Sequence, residues 1–262
     1  MRFFDAHSHV HDKEFNADRK EVLSRMRKSG VSTITVGTHL ESSKKAVALA
    51  EKEPDIWATV GLHPTDTDES FAEEEYRKLA LHQKVVAIGE CGLDYFWEEE
   101  EAGRKKQREK FAAQIELALF LGKPLMIHSR PSRGSMDAYS DVLSILTKDF
   151  SSERGKLRGN VHFFVGDEKI AKSFLDLGFT LSFTGVITFA RDYDEVIKDV
   201  PIESILSETD CPYVAPVPFR GKRNEPVYVT EVVKKLSEIK NLPMENVSEN
   251  LFNNTKRVFA IE

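Results

Sequence analysis

Six residues of the kinds that hold divalent cations stand at the ends of short apolar runs: His7, His9, Glu90, His128, His162 and Asp210. Imidazoles and carboxylates are what borderline-hard divalent ions prefer at neutral pH. His7 and His9 are one residue apart, so on a strand they face the same side and can chelate one ion together. Two neighbouring imidazoles are also costly to bury without a shared purpose. Six protein ligands exceed the three typical of one catalytic zinc. Two divalent ions fit better, with Glu90 as the natural bridge. A pair of ions about 3.5–4 Å apart sharing an activated water is a recurrent hydrolytic device.

The elements that must position these residues are legible as an alternation. Apolar runs begin near Arg2, Ser32, Ile56, Lys84, Lys123, Arg158, Phe179 and Glu203. Between them lie segments of helical spacing. In 104–121, Phe111, Ile115, Ala118 and Leu119 share one face, with Lys and Arg opposite. Gly30, Gly122 and Gly178 sit where helix C-termini should end. Eight strands alternating with helices predict an α/β fold, a (β/α)8 TIM barrel. The competing fold, a doubly wound open sheet, usually sends its first strand into a glycine-rich phosphate loop. Here the first run enters His7-Ser8-His9 instead. In a parallel barrel all strand C-termini open on one face, so residues from both ends of the chain converge there. The tail from Pro243 onward reads as a C-terminal helix packed on the barrel. No linker or low-complexity tract divides residues 1–262, so a single domain is expected.

Composition narrows the function classes. With 40% apolar and 31% charged residues, and 17 Phe, the chain can bury a sizeable core and is not disordered. No apolar run approaches the ~20 residues that span a bilayer. The N-terminal run carries an acid and a histidine where a signal peptide needs an apolar centre. The two cysteines, Cys91 and Cys211, suit a reducing cytoplasm and are read as small packing residues. A net charge of −6 argues against a long non-specific grip on duplex DNA, though not against a local phosphate pocket. His11, His39 and His82 are read as surface or locally hydrogen-bonded, and the acids at 98–101 as a solvated loop or first helical turn.

Several motifs resemble the TatD-type metal-dependent deoxyribonucleases of the amidohydrolase-like superfamily. They are Asp5-Ala6-His7-Ser8-His9, Gly61-Leu62-His63-Pro64, Ile88-Gly89-Glu90-Cys91-Gly92-Leu93-Asp94-Tyr95, Pro124–Arg130 and Ser207-Glu208-Thr209-Asp210-Cys211-Pro212-Tyr213. The loop Ala215–Pro226, the stretch Asn253-Asn254-Thr255 and Phe259 follow the same pattern. The resemblance implies a barrel binding two divalent ions (Mg, Mn or Zn) and hydrolysing DNA, as a 3′→5′ exonuclease favouring single strands. It maps His7, His9 and Asp210 to one ion, His128 and His162 to the other, and Glu90 to both. His63, Arg130 and the loop of Arg220 and Arg223 map to phosphate. The chain departs from the family at Phe163, Cys211 and Phe219, and in the segment 131–135. These departures bear on substrate fit rather than on the ligands.

On that reading, Asp210 and Glu90 are the catalytic residues, with Asp210 orienting the water and taking its proton. Arg130 can fork onto phosphate oxygens and His63 can donate to them. Tyr95, Phe96 and Trp97 either stack terminal bases or pack under a loop. DNA is the expected partner, no membrane is involved, and a monomer is expected. The alternatives are a hydrolase of a small amide, lactone or phosphate ester on the same scaffold, or a binding protein without activity.

Overall fold

The apolar runs become strands because Val, Ile, Phe and Leu are buried on both faces, as a parallel sheet covered by helices requires. The computed structural model describes residues 1–66, 69–150, 152 and 156–262. The strands are β1 (Phe3–Ser8), β2 (Val31–Val36), β3 (Ile56–Val60), β4 (Val85–Asp94), β5 (Leu125–Arg130), β6 (Gly159–Val161), β7 (Phe179–Phe183) and β8 (Ile205–Ser207). They form one eight-stranded parallel sheet in chain order, β1 to β8. The sheet curls until β8 returns to β1. Ser8 bridges Cys211 in parallel, and the Asp210 N–H donates to the His7 carbonyl at 2.9 Å. This is a TIM barrel.

The helices are α1 (Arg19–Lys28), α2 (Leu40–Lys52), α3 (Glu73–Ala80), α4 (Glu101–Leu121), α5 (Asp137–Ser144), α6 (Glu168–Asp176), α7 (Asp194–Asp199), α8 (Val229–Lys240) and α9 (Met244–Val258). Gly122 ends α4 in the left-handed region, at φ 65°. Glu101 opens α4, where an acid suits the positive end of the helix dipole. No helix among the described residues is long and apolar enough to cross a membrane.

One buried cluster fills the layer between strands and helices; a second lies inside the barrel. The inner cluster holds Phe4, Ile34, Val86, Met126 and Leu206 together with Val258, Phe259 and Ile261. The tail therefore seals the end of the barrel where the strands begin. Asn254 of α9 donates to the carbonyls of Ile202 and Ile205 at 2.8 and 3.0 Å, just before and at the start of β8. With that end closed, the opposite end is left for chemistry.

Strand β4 differs from its apolar run. The run stops at Glu90, but the strand continues to Asp94, and its register against β5 shifts between Ile88 and Cys91. Gly89 and Gly92 permit this, with φ 148° and 138°. A Cβ at Gly92 would lie 2.0 Å from the His128 carbonyl oxygen, and one at Gly89 2.4 Å from that of Met126. Only glycine allows β4 to bend around Glu90 and stay paired with β5.

Candidate metal centre

The C-terminal strand ends bring seven of the expected side chains to one place. His7 and His9 come from β1 and just beyond it, His63 from beyond β3, Glu90 from β4, His128 from β5, His162 from just after β6 and Asp210 from beyond β8. Glu90 lies at the middle. Its Oε2 is 3.3 Å from His7 Nε2 and 3.9 Å from His9 Nε2. Its Oε1 is 2.9 Å from His128 Nδ1, 2.9 Å from His162 Nε2 and 3.5 Å from His63 Nε2. Each carboxylate oxygen thus faces a different group of imidazoles. Asp210 Oδ1 adds to the first group, 3.4 Å from His9 Nε2 and 3.7 Å from His7 Nε2.

The outer nitrogen of three of these rings is already engaged, which decides which nitrogen points inward. His9 Nδ1 donates to the Val36 carbonyl at 2.9 Å. His128 Nε2 faces Asp94 Oδ2 at 3.0 Å, and His162 Nδ1 faces Glu208 Oε1 at 3.3 Å. A carboxylate or carbonyl behind an imidazole fixes its tautomer and raises its basicity as a ligand. Glu208 is itself pinned by the Ser182 hydroxyl at 2.6 Å and the Phe163 N–H at 2.7 Å. Asp94 and Glu208, which stand behind two of the rings, were not among the ligands taken from the apolar runs, although Glu208 stands at the end of the eighth run. The signal for Asp94 was its place four residues after Glu90 on a glycine-bent strand; for Glu208, its place two residues before Asp210.

The donor set fits divalent cations. The Nε2 atoms of His7 and His9 are 3.2 Å apart, and His128 Nδ1 is 3.3 Å from His162 Nε2. Two ring nitrogens cannot turn lone pairs toward each other unless a proton or a cation lies between them. The ligating atoms of His7, His9 and Asp210 lie within 4.8 Å of one another, as do those of His63, Glu90 and His128. His7 Nδ1 is buried without a hydrogen-bond partner.

In the metal-free protein, protons take up part of this charge. Burial opposes charging His9, but Asp210 and Glu90 outweigh it and lift the ring to about 9. Burial likewise opposes charging His162, yet Glu90 and Glu208 hold it well above the ordinary value. Burial keeps His7 lowered and neutral, reinforced by His162. Burial works against the Glu90 carboxylate, but the rings of His162, His63 and His7 and the bond to His128 hold its pKa well below the usual range. Cys91 and Cys211 are buried, and burial raises both thiols, which keeps them neutral. They pack rather than ligate.

The centre identifies itself further through its relatives. A family described as TatD related DNase matches residues 4–260. The chain belongs to the TatD family. Over 98% of the chain it is 37% identical to the uncharacterized metal-dependent hydrolase YabD of Bacillus subtilis (strain 168), covering 99% of that relative. It is 32% identical to the uncharacterized metal-dependent hydrolase YcfH of Escherichia coli (strain K12), covering 100% of this chain and 97% of YcfH. Among solved structures, YJJV, a TatD homolog from Escherichia coli K12, superimposes with TM-score 0.89 at 29% identity, covering 100% of this chain and 99% of that one. This TatD-family chain is a metal-dependent hydrolase.

The remaining expected residues lie around this centre in different ways. Arg130 ends β5 two residues after His128, exposed, with its guanidinium 4.0 Å from the Phe96 ring centroid. Arg220 stacks over Phe189 at 4.0 Å and donates to the Ala215 carbonyl at 3.0 Å. Arg223 is not brought to the cluster; it forks onto Asp18 at 2.8 and 2.6 Å and lies over Phe15. Tyr95 is buried, with its hydroxyl donating to Asp141 at 2.7 Å, while Trp97 is 68% exposed. His11, expected at the surface or in a local hydrogen bond, is buried and bonded to Thr35 and Ser42 at 2.7 and 2.8 Å.

Proposed function

We propose that this TatD-family hydrolase cleaves phosphodiester bonds of DNA, acting 3′→5′ on single strands with two divalent ions per chain. The observation that carries this reading is the division of Glu90, whose Oε2 faces His7 and whose Oε1 faces His128 and His162. A carboxylate can serve two cations; an amide bridges poorly because its nitrogen has no free lone pair. When bound, the ions supply Lewis-acid polarisation of the phosphate and lower the pKa of the attacking water.

The protein's own groups supply the rest. Asp210 orients the water and takes its proton on a carboxylate oxygen. His9 and His7 overcome its burial and hold its pKa below the usual range, so it is ionised and has a lone pair free to accept. The Thr65 hydroxyl and N–H lie 2.7 and 3.2 Å from His63 Nδ1; with both donating to it, the ring carries its proton on Nε2, 3.5 Å from Glu90 Oε1. That N–H points into the centre and can donate to a non-bridging phosphate oxygen. Arg130 offers a planar fork to a second oxygen. The protein works as one domain and as a monomer, and its two buried free thiols suit a reducing cytoplasm.

The test is a single-stranded oligonucleotide labelled at its 5′ end, incubated with holoenzyme, with enzyme stripped by chelator, and with enzyme reloaded with Mg²⁺, Mn²⁺ or Zn²⁺. The expected result is stepwise shortening from the 3′ end, abolished by stripping and restored by at least one metal. Cleavage of small phosphate esters with no attack on oligonucleotides would sink the proposal and leave a small-ester hydrolase.

A further inference from the structure

Asp94 does two things at once. Its Oδ2 faces His128 Nε2 at 3.0 Å, while its Oδ1 accepts the backbone N–H groups of Phe96 and Trp97 at 3.1 and 3.3 Å. One buried carboxylate therefore ties a ring of the metal centre to an aromatic pair at the barrel mouth. Phe96 and Trp97 meet edge to face, with centroids 4.7 Å apart at 85°. Arg130 lies over both rings, at 4.0 Å from Phe96 and 5.5 Å from Trp97. Arg133 approaches Phe96 at 5.3 Å. The indole is left 68% exposed although the chain has ample core in which to bury it.

The Trp97 indole is open to solvent on a backbone pinned by Asp94, with the Arg130 guanidinium beside it, so an aromatic face and a cation are presented together. The chemistry specifies the occupant: a flat π-surface for the ring, and an anion for the guanidinium groups. A nucleobase next to a phosphate has both. We propose that Trp97, Phe96 and Arg130 form a nucleobase subsite. In it the base beside the scissile phosphate stacks on the Trp97 indole while Arg130 holds that phosphate toward His128. This rests on the phosphodiesterase reading and adds to it a reason to prefer base-bearing strands over other phosphodiesters. Stacking tolerates any base, because each has a π-face, so little sequence preference is expected.

The experiment compares a thymidine oligonucleotide with one whose last two 3′ units are base-free sugar phosphates, using wild-type holoenzyme, Trp97→Ala and Trp97→Phe. The wild type should favour the thymidine strand about tenfold in kcat/KM, chiefly through KM. Trp97→Ala should reduce that preference to within about twofold, and Trp97→Phe should restore most of it. A ratio unaffected by Trp97→Ala, or a wild type that does not distinguish the strands, overturns the subsite. If the wild type cleaves neither strand, the phosphodiesterase reading has failed and the subsite is judged by binding alone. Quenching of indole emission then reports each strand, with Trp97→Phe leaving Trp57 as the control. Tenfold tighter binding of the thymidine strand, reported by a quench that disappears in Trp97→Phe, upholds the subsite; equal affinities remove it.

Discussion

The two halves of the centre are built differently. On the β1 side the side chains of His7 and His9 are 0% and 6% exposed, and His9 is anchored to the carbonyl of a neighbouring strand. On the β3–β6 side those of His63 and His128 are 16% and 15% exposed and that of His162 is 4% exposed, and His128 leans on Asp94, which also holds the aromatic pair. A buried, backbone-anchored half suits a permanently held cation. The more open half, beside Arg130 and Trp97, is where a phosphate can arrive. Under the two-ion proposal, the contrast would let one cluster combine tight retention with exchange by grading burial on either side of Glu90.

Glu90 belongs to both halves, so its loss should have the largest effect. Glu90→Gln changes almost no volume and should leave the barrel folded. Activity should fall by at least about 100-fold, with weaker retention of at least one ion. Activity assays paired with elemental analysis check this. A Glu90→Gln protein that keeps two ions and most of its activity would reduce Glu90 to a residue that merely orients histidines.

Asp94→Asn probes the open half alone. It removes the charge behind His128 while leaving an oxygen to accept the Phe96 and Trp97 N–H groups. The affinity of one ion should fall by about 10–100-fold, and the ion held by His7, His9 and Asp210 should be spared. Competitive chelator titration separates the two. Equal weakening of both ions would show that the halves are not independent.

The buried half should instead reveal itself through pH. Metal-free His9 titrates at about 9, so at pH 7 it carries a proton that a metal must displace. His162, on the other side beside His128 and held well above its ordinary value, adds a second proton from that side. Because both are raised, affinity should increase as pH rises toward 9, about tenfold per unit for each proton expelled. Calorimetric titration at pH 7 in two buffers of different ionisation heat should report at least one proton released. No release would mean that His9 is already neutral.

Much of this centre was legible in the sequence, because a parallel barrel reduces the problem to asking which residue follows each apolar run. The His7-Ser8-His9 run, the run ending at His128 and the return to Asp210 all answer that question directly. Asp94 and Glu208 escaped as supports because that role is set by what lies behind a ring; Glu208 stood at the end of the eighth run, but nothing in the run told it apart from Asp210. The ten-residue length of β4 escaped because its apolar run ends at Glu90, while Gly89 and Gly92 permit a bend through which the strand continues. The basic run Arg220–Arg223 was legible as charge but not as partnership, since Asp18 and Glu14 lie some 200 positions away.

That last segment supplies the smallest effect and the sharpest choice. The sequence places Arg223 as a phosphate contact. In the fold its guanidinium donates to both Asp18 oxygens, to the Glu14 carbonyl and to Glu225, while Arg25 of α1 forks onto Glu225 from the other side. This network straps the loop after β8 to α1 and to the turn preceding it. Asn224 continues the strap inward, donating to the carbonyls of Thr209 and Tyr213 at 2.8 and 2.6 Å, on either side of Asp210. Arg223→Ala should therefore act on stability. A partly exposed ion pair contributes about 1 kcal/mol or less, which in a chain of this size lowers Tm by about 2–4 °C. The KM for oligonucleotides should stay within about twofold. If KM instead rises severalfold while Tm holds, Arg223 leaves Asp18 when DNA arrives, and the substrate-facing rim extends from Arg130 around to the loop after β8.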